Sequence, residues 1–295
     1  MKIVRAPLRI TLGGGGTDLP GWYQQHGGFL ITAAIDKYIY LTGSRRIHDE
    51  KIWLSYSDVE VRDAVSEIEH QHFAKCLEEF EIPLGFELHS IAELPGNTGL
   101  GSSGAFLVAV IKLLSEIEPR AMSTQDIAEL ACRIEMIDLG RSSGNQDPYA
   151  SAFGGITTLD IDREGNVTAA PFKLPPRTKK QLNNCLKLYS TGTVRESEDV
   201  LKDQNLDMGG AKQSAADAMT RIQEIGYESR DLLVAGDTDG FGRLLDDHWQ
   251  TKKSISGKMS APAIDALYDF AMQNGALGGK VVGAGGVRRP RLFGS

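Results

Sequence analysis

Residues 92–111, Ala-Glu-Leu-Pro-Gly-Asn-Thr-Gly-Leu-Gly-Ser-Ser-Gly-Ala-Phe-Leu-Val-Ala-Val-Ile, combine the residue types that can hold an anion. Gly96, Gly99, Gly101 and Gly104 bare the backbone, and Ser102 and Ser103 stand where the N-cap of a helix would sit. Glycine lets main-chain amides come close to a phosphate, and the first turn of a helix favours its negative charge. The spacing is not that of a Walker loop, because no lysine follows Gly101. A flexible connection ending in a capped, buried helix would use the same residues. A second glycine run, Gly13-Gly14-Gly15-Gly16-Thr17-Asp18, costs backbone entropy that something must require. It suits either a hairpin loop or a bare backbone laid against a polyhydroxylated ligand, with Asp18 accepting from its hydroxyls.

Two more carboxylates stand out. Glu135 lies off the apolar stripe Ile127, Leu130, Ile134 and Ile137, above the small residues Ala128, Ala131 and Cys132. There it can approach another element closely, or it is an ordinary solvated glutamate. Asp147, in Gly144-Asn145-Gln146-Asp147-Pro148, is either a helix cap or a poised acid.

The elements that must carry these residues follow from periodicity. Residues 2–12 read as one or two strands broken at Pro7, Phe29 to Thr42 as paired strands, and Lys51 to Tyr56 as another. Ser66 to Phe80 reads as an amphipathic helix, and Phe86 to Ile91 as the strand before the glycine loop. The run from Ala105 to Leu114 is apolar on nearly every side, as in a buried helix. Ser123 and Thr124 open a further helix ending near Gly140. Ile156 to Ile161 and Val167 to Phe172 form a hairpin, and Leu186 to Thr191 a buried strand. Helices are expected over Val194 to Gln204, Ala211 to Val234, Thr238 to Lys252 and Ala261 to Gln273. The best boundary is Pro171 to Lys180, dividing the chain into 1–175 and 176–295.

With 295 residues, 41% hydrophobic and 24% charged, the chain has the composition of a soluble globular protein with room for two domains. A net charge of −7 argues against a nucleic-acid partner. The three cysteines, Cys76, Cys132 and Cys185, suit a reducing cytosol and form no metal pattern, and His70 and His72 suit structural or surface roles. No signal peptide is visible and the longest apolar run is too short for a bilayer, so a cytoplasmic protein with no membrane partner is expected.

Pro95 to Gly104 resembles the phosphate loop of the galactokinase, homoserine kinase, mevalonate kinase and phosphomevalonate kinase (GHMP) superfamily. Ala6-Pro7-Leu8-Arg9 with Gly-Gly-Gly-Gly-Thr-Asp is similar to its N-terminal substrate motif. Ile134-Glu135 and Gly144-Asn145-Gln146-Asp147 fall where the family has its magnesium glutamate and catalytic aspartate. Gly278-Gly279-Lys280 and Gly283-Ala284-Gly285-Gly286 look like its third motif. The form Ala-Pro-Leu-Arg-Ile-x-x-Gly-Gly-Gly-Gly-Thr-Asp, with Thr191-Gly192-x-x-Arg195, is most similar to the heptose 7-phosphate kinases. The resemblance implies an α+β, two-domain GHMP-kinase fold, with an N-terminal domain of ribosomal-protein type and a ferredoxin-like C-terminal domain. It also implies ATP and Mg2+ as cofactors and a sugar phosphate as partner, the acceptor being the anomeric hydroxyl of D-glycero-D-manno-heptose 7-phosphate.

Residue by residue, the resemblance implies that Pro95, Gly96, Asn97, Thr98, Gly99, Leu100, Gly101, Ser102, Ser103 and Gly104 hold the triphosphate. Ser103 and Glu135 would ligate magnesium, and Asp147 would deprotonate the sugar hydroxyl with Arg9 beside it. Gly14, Gly15, Gly16, Thr17 and Asp18 would hold the sugar, and Arg195 the 7-phosphate. A kinase of a fucose- or galactose-like sugar, or a non-catalytic sensor on the same fold, stays open. The family's third motif normally runs on into further strands and a helix. Here Val287 to Ser295 has no periodicity, so a truncated C-terminal domain is expected.

Overall fold

A computed structural model describes residues 1–96, 98–191, 213–255 and 259–283. In chain order the elements are β1 (Lys2–Gly13), α1 (Pro20–His26), β2 (Gly28–Arg45), β3 (Ile52–Ser55), β4 (Val59–Arg62), α2 (Gln71–Glu79) and β5 (Phe86–Ala92). There follow α3 (Ser102–Ile117), α4 (Thr124–Cys132), a π-turn (Arg133–Asp138), α5 (Gln146–Phe153), β6 (Ile156–Ile161) and β7 (Val167–Pro171). The described part ends with α6 (Pro176–Cys185), α7 (Gln213–Ala235), α8 (Thr238–Ile255) and α9 (Pro262–Gln273). The chain packs as two units. One comprises Met1–Arg9, Ala34–Gly96 and Gly101–Gly154, the other Ile10–Ala33, Asn97–Leu100 and Gly155–Ser295.

In the first unit the sheet is mixed. β3 runs antiparallel to β4 and parallel to β5, and β5 is antiparallel to the second half of β2, with Leu41 opposite Ser90. α3 packs against α2, α4 and α5, and its Ala105, Leu107, Val110, Ile111, Leu113 and Leu114 are wholly buried. Such an all-round apolar helix belongs in an interior, and truncating one of its leucines to alanine would cost about 2–5 kcal/mol. A capping box opens α4: Ser123 Oγ accepts from Asp126 N–H at 3.1 Å, and the Asp126 carboxylate accepts from Ser123 N–H at 2.7 Å.

In the second unit the first half of β2 pairs with β6 and β6 with β7, all antiparallel, placing Leu30 opposite Leu159. Leu12, Phe29, Ile31, Leu182, Leu233 and Phe241 form its main core. Trp22 packs with Met219 and Ile222 and donates from Nε1 to Gln223 Oε1 at 2.8 Å.

Several local expectations change. β1 passes through Pro7 unbroken, and Phe29 to Thr42 belongs to one long strand rather than two. The helix expected from Ser66 divides into a 3-10 turn (Val65–Glu67) and α2. Ser102 and Ser103 are not N-caps but the first helical residues of α3; Gly101, in a left-handed conformation, takes the cap position. Leu186 to Thr191 holds no strand and is largely exposed: Leu186 caps α6 through its N–H to Leu182 O, which takes up the chain differently. Pro175-Pro176 starts that helix, because a proline at the first helical position forgoes no hydrogen bond. Ile137 is 73% exposed, since the π-turn rotates the stripe out of register after Ile134. Val194 to Gln204 and Val287 to Ser295 lie outside the described residues.

Candidate active site

In the first unit, β1 and α5 bring Arg9 and Asp147 together although 138 residues separate them. Arg9 donates from Nε at 2.7 Å to Asp147 Oδ1, and its Nη2 lies 2.6 Å from the same oxygen. Asp147 is the second residue of α5. The cap position belongs to Asn145, so Asp147 is not itself the cap. Its side chain is 23% exposed, whereas that of Arg9 is 7% exposed. The carboxylate is therefore held from behind and open in front.

The start of α3 lies against this pair. A Cβ on Gly101 would stand 3.1 Å from both Arg9 Cγ and Asp147 Cγ, and Gly101 already has φ +75°. A Cβ on Gly104 would meet Asp147 Cβ at 2.7 Å and Pro148 N at 2.8 Å, closer than real contacts allow. Only glycine lets the helix approach the aspartate so closely. The first-turn amides of α3 lack intrahelical acceptors and remain available to an anion.

Glu135 sits on the π-turn and is 4% exposed. Its carboxylate hydrogen-bonds the Ser103 hydroxyl, while Oε2 is buried without a partner among the described residues. Burial pushes its carboxyl up to about 7; the Ser103 bond opposes this, Asp147's charge adds to it and Arg141's charge opposes it. Arg141 donates its N–H to Glu135 O at 3.0 Å and reaches Gln71 Oε1 at 2.9 Å through Nη2. Nothing in the spacing marks Arg141, because the π-turn that places it leaves no compositional trace.

In the second unit, the Gly13–Asp18 loop is internally tied. Thr17 Oγ1 lies 2.8 Å from Gly14 O and 3.0 Å from Phe29 O and accepts from Phe29 N–H at 3.2 Å. Thr17 is wholly buried, so in this conformation its hydroxyl shapes the loop rather than reaching a sugar. Asp18 Oδ1 accepts from Gly16 N–H at 3.2 Å, and Gly15 and Gly16 are half-buried. Gly99 and Gly283 meet backbone to backbone: a Cβ on either would come within 2.7 Å of the other stretch. Lys252 Nζ donates to Gly283 O at 2.6 Å. Of the phosphate-type loop, Thr98 and Leu100 also belong to the second unit and Pro95 and Gly96 to the first; Asn97 and Arg195 lie outside the described residues.

Two family models match the chain, the GHMP kinases N-terminal domain over residues 56–155 and the GHMP kinases C-terminal domain over 229–287. The chain is also 31% identical, over 97% of its length and 87% of the relative's, to D-glycero-alpha-D-manno-heptose 7-phosphate kinase of Campylobacter jejuni. The chain belongs to the GHMP kinases. It has their two-domain fold and is an ATP-dependent phosphotransferase. Among solved structures, the kinase superposes with TM-score 0.78 and 27% identity on a D-glycero-D-manno-heptose 1-phosphate kinase from Bacteroides thetaiotaomicron, covering 98% of this chain and 88% of that one. It is also 23% identical to an L-fucokinase/L-fucose-1-P guanylyltransferase of Bacteroides fragilis, across 96% of this chain and 33% of that protein.

Kinases of this family use ATP, generally with Mg2+. The chain offers no cluster of three or more metal-ligating side chains among the described residues. A magnesium ion that keeps phosphate oxygens and waters in its shell needs only one or two protein ligands. The orphaned Oε2 of Glu135 and the neighbouring Ser103 hydroxyl are hard oxygen donors of that kind. No helix among the described residues is long and apolar enough to cross a membrane.

Proposed function

We propose that this kinase transfers the γ-phosphoryl group of ATP to the anomeric hydroxyl of D-glycero-D-manno-heptose 7-phosphate, giving the 1,7-bisphosphate. The observation that carries the chemistry is the Arg9–Asp147 pair set against Gly101 and Gly104 at the start of α3. The heptose assignment draws on the similarity to the Campylobacter jejuni enzyme.

In this reading Pro95 to Gly104 holds the triphosphate through main-chain amides. Asp147 orients the acceptor hydroxyl and takes its proton as the new oxygen–phosphorus bond forms and the bond to the β-phosphate oxygen breaks. Arg9 fixes Asp147 and offsets charge developing on the phosphoryl group. Ser103 and Glu135 would hold magnesium, which when bound neutralises the phosphate oxygens. Gly14, Gly15, Gly16 and Asp18 meet the sugar, with Thr17 fixing their loop. Arg195 takes the 7-phosphate, for which a fork of donors is suited. Residues 1–175 form the nucleotide- and sugar-binding domain and 176–295 the C-terminal domain.

A second reading has one specific support: the Bacteroides thetaiotaomicron relative bears the name of a heptose 1-phosphate kinase. A comparison of kcat/KM on the heptose 7-phosphate, the heptose 1-phosphate and free sugars, with the product's phosphate positions read by phosphorus NMR, separates the two. The proposal requires the 7-phosphate to be preferred and carbon 1 to be phosphorylated. Preference for the 1-phosphate or for a free sugar refutes it.

A further inference from the structure

In the second unit one lysine links a helix to the phosphate-type loop. Lys252 stands in the last turn of α8, and its Nζ donates to Gly283 O at 2.6 Å. The neighbouring Lys253 pairs instead with Asp265 of α9, 3.9 Å away. Gly283 in turn lies directly on Gly99. A Cβ on Gly283 would stand 2.7 Å from Gly99 Cα, and a Cβ on Gly99 would stand 2.7 Å from Val282 O. Both glycines have positive φ, +81° and +75°, where ordinary side chains are strained. The contact is therefore backbone on backbone, and whatever holds Gly283 also holds Gly99. Lys252, Gly283 and Gly99 all belong to the same compact unit.

The tether is charged. A hydrogen bond from an ammonium is stronger than one between neutral groups, and Lys252 is half-buried, which limits screening by water. Lys280 brings a second ammonium to this region: burial, then the charges of Lys280 and Lys252, hold the wholly buried His248 imidazole well below its ordinary range. We propose that Lys252 is a positioning residue for nucleotide binding. By holding Gly283 it fixes Gly99, and with it the Thr98 to Leu100 part of the loop, in the shape that receives the triphosphate. The inference rests on the reading in which Pro95 to Gly104 holds that group. A glycine-rich loop loses much backbone freedom when it closes on a ligand, and an anchor that orders it beforehand removes that cost from binding.

The test uses the full chain. Calorimetry gives the affinity for the magnesium complex of ADP, and steady-state kinetics give KM for ATP and for the sugar acceptor. In Lys252→Met, which keeps the stem and loses the donor, the ADP complex should bind about tenfold more weakly, as loss of one charge-assisted hydrogen bond implies. KM for ATP should rise with it, while kcat and KM for the sugar stay within about threefold. Lys252→Arg keeps a cationic donor and should bring affinity back to within about threefold of the wild type. Gly283→Ala forces the two backbones apart and should also weaken the ADP complex. Adding Lys252→Met to it should cost little more, because both act through one contact. Unchanged ADP affinity in Lys252→Met, an equal rise of both KM values, no rescue by arginine, or full additivity with Gly283→Ala overturns the role of Lys252. Gly99→Ala separates this from the reading beneath it. Unchanged nucleotide affinity in Gly99→Ala refutes the loop's role itself, whereas a loss there without one in Lys252→Met refutes the role of Lys252 alone.

Discussion

Asp147 Oδ1 receives two donors from a single guanidinium, Arg9 Nε at 2.7 Å and Nη2 at 2.6 Å, while a Cβ on Gly104 would stand only 2.7 Å from the same residue's Cβ. The aspartate is thus fixed from two sides by elements distant in the chain. In the proposed function, where Asp147 is the base, fixing it before the substrate arrives removes the cost of orienting it during reaction.

Gly104 is the most constrained neighbour of that pair. Gly104→Ala is expected to push α3 from Asp147 and to cost about 1–3 kcal/mol in unfolding free energy, the usual range for overpacking. Because Pro148 N and Asp147 Cβ are not the ends of flexible side chains, kcat should fall more than tenfold as well. Denaturant unfolding and steady-state kinetics check both effects.

Glu135 is expected to set the magnesium requirement. Its carboxyl is held near 7 by burial, so the ionised form that a cation needs becomes available as pH rises from 6 to 8. The magnesium concentration giving half-maximal rate should fall over that range in the wild type. In Glu135→Gln it should be high and independent of pH, as read from magnesium titrations at each pH.

His72 should make the fold acid-sensitive. Burial lowers its imidazole to about 4 from 6.5, with the charges of His70 and Arg141 acting in the same direction, and Nε2 has no hydrogen-bond partner among the described residues. The unfolded chain binds this proton below about 6.5, the folded chain only below about 4. Stability from the neutral ring is therefore complete above 6.5 and is lost as pH falls between those values. On the order of 3 kcal/mol is at stake from a shift of this size. His72→Phe should flatten that part of the pH–Tm curve, and an unchanged slope would show that other groups cause it.

Thr17 and Asp18 are adjacent but should fail differently. Thr17→Val removes a wholly buried hydroxyl from Gly14 and Phe29, at a cost of about 1–3 kcal/mol in stability. Asp18→Asn should leave stability within about 1 kcal/mol and raise KM for the sugar at constant KM for ATP. Thermal unfolding with kinetics in both substrates distinguishes the two.

Much of this arrangement was readable in advance because its cause is local. Glycine spacing in residues 96–104 requires close backbone approach, and the apolar run from Ala105 requires a buried helix; both are written in composition. The pairing of Arg9 with Asp147 came through the family resemblance, since no local pattern links residues 138 positions apart. The π-turn was not legible. One added residue in a helical turn changes no residue type, yet it exposes Ile137 and brings Arg141 to Glu135. Leu186 to Thr191 failed for another reason: a short apolar run does not specify what it will pack against.

The most direct measurement is the turnover of Asp147→Asn beside its affinity for the magnesium complex of ATP. Asparagine keeps the shape but cannot take the acceptor's proton. We predict a fall in kcat of about a thousandfold or more, within the range of general-base catalysis, with nucleotide affinity unchanged within about threefold. A variant that turns over within tenfold of the wild type, or that loses nucleotide binding and turnover in equal measure, would contradict the central role given to Asp147.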